Sequence, residues 1–484
     1  MDWAGLFMLA LVAVLLIATG LPAFMVLIGV SVVFAVLGVA LDVFPAALLQ
    51  ALPNRIVGLL ESDLLQALPL FVLMGVLLDR LPIVDILFRS GDRALRHTGA
   101  APQISALGLG ALLAPMNGSV GASVATLSRV VRPKLMQRRV ATADSLAIVC
   151  VASTLGVVVP PSLVLILLGD AMMRAHTEAL NKTGASARII NTQDVYIGAL
   201  VPAALFFVLC LAIAWWRARA GAGARQNAGA PAEVRHSEKT AALLTVGFIV
   251  LLLAGVAAGY FYAVEAAAMG AFALFTFGVL SGALSRATVS SLLYDAMAVA
   301  GALFALLAAA TSFTLVFRAF GSDKLLDIAL GNLPLGATGT TIVVLLVLAA
   351  CAFVLDAFEI IFVVIPILMP PLLAREPDAV WVAVATLLVL QASFLIPPVG
   401  YAVMMARAAM RERIAVGPLA RALAPFLAAQ AAVLALVLVF PGLTHIAGGD
   451  KALPSSTLSD EDVHKAIEDS APPPPQPAKL PGTG

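Results

Sequence analysis

Polar and acidic residues interrupt long apolar stretches at four places, near residues 117–126, 153–156, 356–359 and 391–400. Hydroxyl, amide and carboxylate oxygens are suitable ligands for a hard cation, and glycines let a ligand approach the backbone closely. The candidate substrate- or cation-binding residues are Asn117, Gly118, Ser119, Gly121, Ser123, Ser153, Thr154, Gly156, Asp356, Glu359, Gln391, Ser393 and Gly400.

Two double prolines lie beside these residues and must break the helices that contain them. Pro160 and Pro161 follow the group at 153–156, and Pro397 and Pro398 follow Gln391 and Ser393. Proline has no backbone N–H and clashes with the preceding turn of a helix. Pro397 follows Pro160 by 237 residues, so the breaks occupy matched positions in two halves of the chain.

The polar segments upstream of the breaks are also matched. Asn117 precedes Pro160 by 43 residues, and Asp356 precedes Pro397 by 41. Both segments are too polar in the middle to be simple spans. We therefore expect two re-entrant hairpins, at 104–127 and 341–373, each followed by a broken helix, at 143–169 and 379–405.

Each candidate residue also has a structural interpretation. A lone Ser or Thr in a membrane helix commonly bonds its own backbone, but the position of Ser153 and Ser393 beside matched breaks favours a binding role. Asp356 and Glu359 are three residues apart and therefore share a helical face. A role in cation coupling or gating and a role as a helix cap both remain open for this pair.

The composition places these segments in a membrane. Of the 484 residues, 61% are hydrophobic and 12% are charged, against about 25% charged in a soluble domain. This excludes a soluble enzyme, a disordered protein and a nucleic-acid binder. The apolar runs have the length of membrane helices rather than the alternation of barrel strands. We expect an all-α integral membrane protein and, because the sequence contains no catalytic motif, no enzyme.

The distribution of positive charge indicates an inverted repeat. Lys and Arg concentrate at 129–139, 217–239 and 407–421, and such loops stay cytoplasmic. All three loops and the Arg80–Arg96 segment face one side only if both hairpins are re-entrant. Each half then has five crossings and one hairpin, and an odd number of crossings inverts the second half relative to the first. The expected parts are a first repeat 1–216, a cytoplasmic linker 217–240, a second repeat 241–440 and a disordered, acidic, Pro-rich tail 441–484.

Broken backbone at membrane depth must be enclosed by protein or line a wet cavity. Hence we expect the two hairpin tips and the two breaks to meet. Helix N-termini gathered there would attract a carboxylate, and free carbonyls and hydroxyls would bind Na⁺. The expected activity is coupled transport of an organic anion.

Five segments carry a resemblance to a known family. They are LPLFVLMGVLL (68–78), STLGVVVPPS (153–162), INTQDVYIGALVPA (190–203), LDAFEIIFVVIPILMPPL (355–372) and LQASFLIPPVGYA (390–402). Residues 1–445 resemble the large membrane subunit, DctM-like, of tripartite ATP-independent periplasmic (TRAP) transporters. Many relatives have a proline after the STxG motif, where this chain has Val157.

The resemblance implies an elevator mechanism in a bacterial inner membrane. It further implies Na⁺ as coupling ion with no other cofactor, a small membrane subunit, and a periplasmic solute-binding protein that delivers a carboxylate. The family's Na⁺ sites map onto 117–123 with 153–156, and onto Asp356 with 391–400. Two alternatives remain: a stand-alone ion-coupled carboxylate transporter and a membrane scaffold subunit that transports nothing.

Overall fold

The computed structural model describes residues 3–61, 63–113, 120–160, 162–184, 187–220, 236–410 and 415–448. These residues form α-helices joined by short turns and contain no β-strand. The expected all-α fold is thus confirmed for this part of the chain. From position 449 onward the expected tail lies outside the described residues.

Ten helices precede the segment expected to link the halves. They are α1 Ala4–Thr19, α2 Ala23–Ala40, α3 Ala51–Leu60, α4 Asp63–Arg80, α5 Ile83–Ala94, α6 Ala101–Leu113, α7 Val120–Gln137, α8 Thr142–Val158, α9 Leu163–Thr183 and α10 Thr192–Ala220.

Ten more follow it. They are α11 His236–Ala257, α12 Ala263–Leu280, α13 Arg286–Ala319, α14 Ser322–Gly331, α15 Ala337–Cys351, α16 Ala357–Glu359, α17 Ile365–Leu373, α18 Ala379–Leu395, α19 Tyr401–Ala408 and α20 Val416–Val439. Residues 360–364 form a π-helical turn that joins α16 to α17.

Six segments of the described residues are long and apolar enough to cross a membrane. They are Ala23–Ala40, Thr142–Thr183, Thr192–Arg219, Glu238–Val256, Arg286–Ala319 and Val416–Val439. A bent pair, Ala46–Leu60 with Leu65–Arg80, passes the same test when taken together. The chain is therefore a multi-pass membrane protein.

The ingoing arms of the expected hairpins are shorter, whereas the outgoing arm α7 has 18 residues. Helix α6 has 13 residues and α15 has 15. At 1.5 Å per residue they extend about 20 Å and about 22 Å, whereas the hydrocarbon layer is about 30 Å thick. Neither ingoing arm is long enough to span the hydrocarbon layer by itself. Such short arms are expected of a re-entrant hairpin, which enters and leaves the membrane on one side.

Helices of the two halves pack against each other in matched pairs. Helix α12 packs on α4 and α2 packs on α13. Likewise, α17 packs on α9 and α7 packs on α19. The outgoing arm of each hairpin thus contacts the helix that follows the double proline of the other half.

Candidate functional site

The first break separates α8 from α9. Helix α8 ends at Val158, two residues before Pro160, and α9 begins at Leu163, where the Ser162 hydroxyl accepts a hydrogen bond from the Leu165 N–H at 3.1 Å. Pro161 lies outside the described residues. Since the last carbonyls of a helix have no partner within it, backbone oxygens are available at this break.

The candidate residues of α8 are buried and bond their own helix. The Ser153 hydroxyl donates to the Val149 carbonyl at 2.7 Å, and the Thr154 hydroxyl donates to the Val151 carbonyl at 3.0 Å. Gly156 is also buried in α8. A hydroxyl that donates its proton in this way keeps acceptor lone pairs, so both oxygens retain the capacity to bind a cation.

The second break separates α18 from α19. The Ser393 hydroxyl donates to the Val389 carbonyl at 2.9 Å. Gln391 is fully buried, and within the described part of the chain neither atom of its side-chain amide has a hydrogen-bond partner. Pro397 and Pro398 lie in the turn between the helices, and Gly400 precedes α19.

Gly400 allows the chain to pass close to the end of α18. A Cβ atom on this residue would lie 2.6 Å from the Phe394 carbonyl oxygen and 2.8 Å from the Ile396 nitrogen. Both are backbone atoms and cannot move aside easily. Gly400 also lacks a side chain that could cap α19, which leaves the N-terminal amides of this helix without a side-chain acceptor.

The first broken span is enclosed by the rest of the protein. In the segment Thr142–Thr183, 94% of the most apolar 18-residue window is buried. The corresponding share is 39% for Thr192–Arg219 and 22% for Glu238–Val256. The two unbroken helices therefore expose more of their surface, while protein surrounds the segment that contains the break.

Asp356 and Glu359 form a reciprocal cap at the tip of the second hairpin. The Glu359 N–H donates to Asp356 Oδ1 at 2.9 Å, and the Asp356 N–H donates to Glu359 Oε2 at 3.0 Å. The structure therefore contains the capping interaction that was one of the two interpretations of this pair. Within the described residues neither carboxylate forms a salt bridge with Lys or Arg.

In the first hairpin, Gly121 and Ser123 lie in the first turns of α7. Asn117, Gly118 and Ser119 lie outside the described residues. Ser123 is 1% exposed, and its hydroxyl has no hydrogen-bond partner among the residues that the structure describes.

Tyr401 lies where four candidate elements meet. A Cβ atom on Gly121 would lie 2.9 Å from the Tyr401 hydroxyl oxygen. The Tyr401 ring is 6.1 Å from that of Phe394 at the end of α18, and Tyr401 lies within electrostatic range of Asp356 and Glu359. The sequence analysis did not select Tyr401, although it is the first residue of the helix after the double proline.

Helix α8 adjoins the same place and the first hairpin. The Cys150 thiol of α8 lies 3.7 Å from the Ala402 carbonyl oxygen, next to Tyr401. A Cβ atom on Gly110, in the ingoing arm α6, would lie 2.7 Å from the Cα of Ala152. The structure therefore brings together α8, both hairpins and the second break.

A cavity of about 470 Å³ lies beside the second hairpin and was not expected from the sequence. It is bounded by α3, α4, α9, α13 and the outgoing arm of the hairpin. Its charged lining consists of Arg55, Arg174 and Arg318 with Asp170 and Glu178. Arginines exceed carboxylates by one, which favours an anionic occupant.

Arg318 joins three elements at this cavity. Its guanidinium donates to Glu178 Oε2 on α9 at 2.8 Å and to the Pro366 carbonyl of the hairpin at 3.0 Å. The available sequence signal was a single arginine in the last turn of the long apolar helix α13. No arginine at the membrane midplane was apparent from the sequence alone.

The described residues contain no group of three or more His, Cys, Asp or Glu side chains that could hold a metal ion. The breaks offer hydroxyl, amide and backbone oxygens. Such neutral oxygen sites suit Na⁺ in discontinuous membrane helices.

A family model described as the DctM component of the tripartite ATP-independent periplasmic transporter matches residues 9–443. The chain belongs to this family. As a DctM-family chain it is related to transporter permeases rather than to enzymes, and the resemblance noted in the sequence is confirmed.

Individual relatives of the DctM-family chain are distant. It is 24% identical to the isethionate TRAP transporter permease protein DctMQ of Oleidesulfovibrio alaskensis, over 79% of this chain and 58% of that protein. It is 22% identical to the C4-dicarboxylate TRAP transporter large permease protein DctM of Rhodobacter capsulatus, over 80% and 87%. It is 23% identical to the ectoine TRAP transporter large permease protein TeaC of Halomonas elongata, over 73% and 79%.

The DctM-family chain also has a solved structural neighbour. The crystal structure of the YdaH transporter of Alcanivorax borkumensis superposes with a TM-score of 0.63 at 17% sequence identity. The match covers 82% of this chain and 88% of that one. At this identity the likeness shows a shared fold.

Proposed function

We propose that this chain is the large permease subunit of a Na⁺-coupled secondary transporter that imports an organic carboxylate. In this proposal a small membrane subunit and a periplasmic solute-binding protein complete the transporter in a bacterial inner membrane. The single observation that carries the proposal is the enclosure of interrupted helices by protein. Together with uncommitted polar atoms on Gln391 and Ser123, it provides oxygen and amide groups at membrane depth.

The matched packing supports two inverted repeats within 1–216 and 241–440. Suppose that α2 corresponds to α12, α4 to α13, α7 to α17 and α9 to α19. Exchanging the two halves then turns the α12–α4 contact into the α2–α13 contact. It likewise turns the α17–α9 contact into the α7–α19 contact. Such exchange is what a twofold pseudosymmetric fold requires. Helix α10 continues to Ala220 and α11 begins at His236, which leaves 221–235 as the core of the proposed linker.

The same contacts support an elevator mechanism. The two hairpins with α8, α9, α18 and α19 would form the moving body, and α1–α4 with α11–α13 would belong to the static scaffold. Polar contacts cross this boundary on both sides: the Asp79 carboxylate of α4 accepts from Arg129 of α7 at 2.5 Å, and Arg318 of α13 donates to the second hairpin.

The cavity beside the second hairpin supports the proposal that the substrate is an anion. By the proposed topology, Arg174 and Arg318 lie on the periplasmic side, where the binding protein would deliver the solute. The cavity adjoins the second hairpin, so an anion there would contact both bodies of the elevator. The relatives named for isethionate, C4-dicarboxylates and ectoine support this substrate class, since each of those compounds carries an acidic group.

Reconstitution tests the proposal as a whole. The chain would be purified with its small subunit, placed in proteoliposomes, and supplied externally with the binding protein loaded with its carboxylate ligand. We expect uptake that requires an inward Na⁺ gradient and both partners. Uptake by the chain alone would favour the stand-alone transporter, and absence of uptake in the complete system would favour the scaffold subunit.

A substitution tests the cavity. Arg318→Gln should raise the substrate concentration for half-maximal uptake about tenfold, equivalent to about 1.4 kcal/mol of binding. Lys324→Gln is the matched control, because Lys324 is an exposed cation on the adjacent α14 that does not line the cavity. Equal uptake by the parent and the Arg318 variant would show that the substrate does not pass through this cavity.

Cross-linking tests the elevator. After replacement of the three native cysteines, Asp79→Cys with Arg129→Cys would be joined by a short bifunctional thiol reagent. We expect the link to stop uptake, because it would join the scaffold to the moving body. Arg80→Cys with Asp295→Cys is the control, since this 2.5 Å ion pair joins α4 to α13 within the scaffold. Undiminished uptake after complete cross-linking of 79 to 129 would contradict the mechanism.

A further inference from the structure

A second cavity, of about 830 Å³, lies between α5, α6, α10 and α11. By the proposed topology it is on the cytoplasmic side, opposite the cavity that contains Arg318. Its lining includes four residues that are basic or can become so: Arg93, Arg96, His97 and Lys239. No carboxylate is present among the described residues that line it.

The cavity is amphipathic along its length. The basic residues come from the C-terminal end of α5, the turn after it and the start of α11, so they gather at one end. The apolar lining comes from positions further along α6, α10 and α11. It includes Leu109, Leu112, Phe207, Leu211, Leu243 and Val246. From Lys239 to Val246, α11 rises about 10 Å, which places an apolar compartment next to a basic one.

Two serine hydroxyls of the cavity lining have no hydrogen-bond partner among the described residues. Ser105 is 7% exposed, and its hydroxyl has no hydrogen-bond partner. The hydroxyl of Ser90 also has none. Buried polar groups are nearly always hydrogen-bonded in folded proteins. Both oxygens are shielded from the cavity, and Ser105 Oγ would lie 3.0 Å from a Cβ atom on Gly91, so they mark the close packing of α5 on α6.

An ion pair braces the basic end of the cavity. The Arg89 guanidinium on α5 bonds Glu238 on α11 at 3.1 Å, directly before Lys239 in the chain. The cations are thus supplied by two helices that are tied together. Helix α11 forms one wall of the cavity, and its segment Glu238–Val256 is the least buried of the six membrane-crossing segments. We therefore expect the apolar compartment to adjoin lipid.

We propose that this cavity binds an anionic phospholipid, with the phosphate among Arg93, Arg96, His97 and Lys239 and an acyl chain along α6, α10 and α11. Basic pockets between membrane helices on the cytoplasmic side recognise such head groups. A soluble anion would use the charges and leave the apolar compartment empty. A neutral lipid would leave the charges without a partner.

Lipid binding to the purified, delipidated full-length chain tests this inference by native mass spectrometry in a nonionic detergent. The probes are dioleoyl-phosphatidylglycerol, dioleoyl-phosphatidylcholine with the same acyl chains, and inorganic phosphate. We expect phosphatidylglycerol to bind at least about tenfold more tightly than phosphatidylcholine, and phosphate not to displace it. Equal affinity for the two lipids, or displacement by millimolar phosphate, would overturn the proposal.

Variants locate the site. Arg93→Gln with Arg96→Gln should weaken phosphatidylglycerol binding about thirtyfold, equivalent to about 2 kcal/mol, while binding of phosphatidylcholine stays unchanged. Arg286→Gln is the control, because Arg286 is an exposed arginine outside the cavity that the proposed topology places on the same side. If the double variant does not fold, Lys239→Gln provides the same test with one charge.

A steric variant addresses the apolar compartment separately. Gly108 lines the cavity, and a Cβ atom on it would meet no atom within 4 Å. Gly108→Phe should therefore fill the space and weaken binding of both lipids without disturbing the fold. Unchanged phosphatidylglycerol binding in both Gly108→Phe and the charge variants would place the lipid elsewhere and refute the assignment.

Discussion

The two hairpins are held to their surroundings by different interactions. The outgoing arm of the first, α7, carries basic residues that pair with acids on α4 and α5. The pairs are Arg129 with Asp79, Lys134 with Asp85, and Arg138 with Asp92. The outgoing arm of the second, α17, is entirely apolar, and its ionic neighbour Arg318 contacts it only through a backbone carbonyl.

This difference follows from the sides on which the hairpins open. By the proposed topology the first opens to the cytoplasm, where basic residues are retained, and the second opens to the periplasm. The Arg129–Asp79 and Lys134–Asp85 pairs are partly exposed, and such pairs re-form readily and are worth only about 0.2–1 kcal/mol each. Asp92, in the third pair, is buried. We conclude that charge pairing guides the first hairpin, whereas apolar packing and a cap maintain the second.

The largest expected effect concerns the glycine contact of the first hairpin. Gly110→Ala should destabilise the protein by about 1–3 kcal/mol and abolish uptake, because its Cβ atom would lie 2.7 Å from the Cα of Ala152. Thermal unfolding in detergent and proteoliposome uptake would measure both effects. Gly108→Ala is the control, since its Cβ atom meets nothing. Parent-like stability in Gly110→Ala would show that α6 is not tightly packed on α8.

The second prediction separates the two breaks. Gln391 occupies the position matched to Thr154, but its amide has no partner, whereas Thr154 bonds its own helix. Gln391→Leu should stabilise the protein by about 1–3 kcal/mol, the cost of an unsatisfied buried polar group, while reducing uptake strongly. Gln430→Leu should destabilise it, because the Gln430 amide donates to the Leu388 carbonyl at 3.0 Å. Full uptake by Gln391→Leu would show that Gln391 does not take part in binding the substrate or the cation.

The third prediction separates the two roles of the acidic pair in the second hairpin. Asp356→Ala removes both cap and charge and should cost about 0.5–2 kcal/mol. Asp356→Asn keeps a capping oxygen and removes the charge. We expect it to retain stability but to need about tenfold more Na⁺ for half-maximal uptake. If the Asn variant keeps the parent's Na⁺ dependence, capping is the only role of Asp356.

The smallest effect concerns the ionic side of the first hairpin. Burial raises the pKa of Asp92 above its ordinary value, although Arg138, 3.5 Å away, opposes the shift. The folded state thus favours the protonated carboxyl. The resulting contribution to stability is present at low pH and is lost as pH rises through the folded pKa.

Asp92→Asn does not titrate. Its free energy of unfolding should therefore improve relative to the parent as pH rises from about 4, the ordinary pKa of Asp, through the raised folded pKa. Thermal unfolding of both proteins across this range measures the difference. The opposite trend would mean that attraction to Arg138 outweighs the burial of Asp92.

Local chemistry made much of the architecture predictable. Proline opposes helix continuation, and the interruptions after Val158 and Leu395 were predicted from four residues. Pro370 and Pro371, by contrast, lie inside α17. The all-α membrane class followed from the length of the apolar runs. The capping of α16 was one of two open interpretations, because an acid and a Glu three residues later form a cap through neighbours in sequence.

Contacts between distant segments were decided by the tertiary structure alone. Gly121 and Tyr401 are 280 residues apart, and Arg318 meets Glu178 and Pro366 from a third helix. Helical periodicity states which residues share a face of one helix, but not which helix that face will contact. The two breaks were predictable from the sequence by itself, because the steric effect of proline acts on its own helix. Packing determined which side chains surround the breaks, because burial depends on every helix at once.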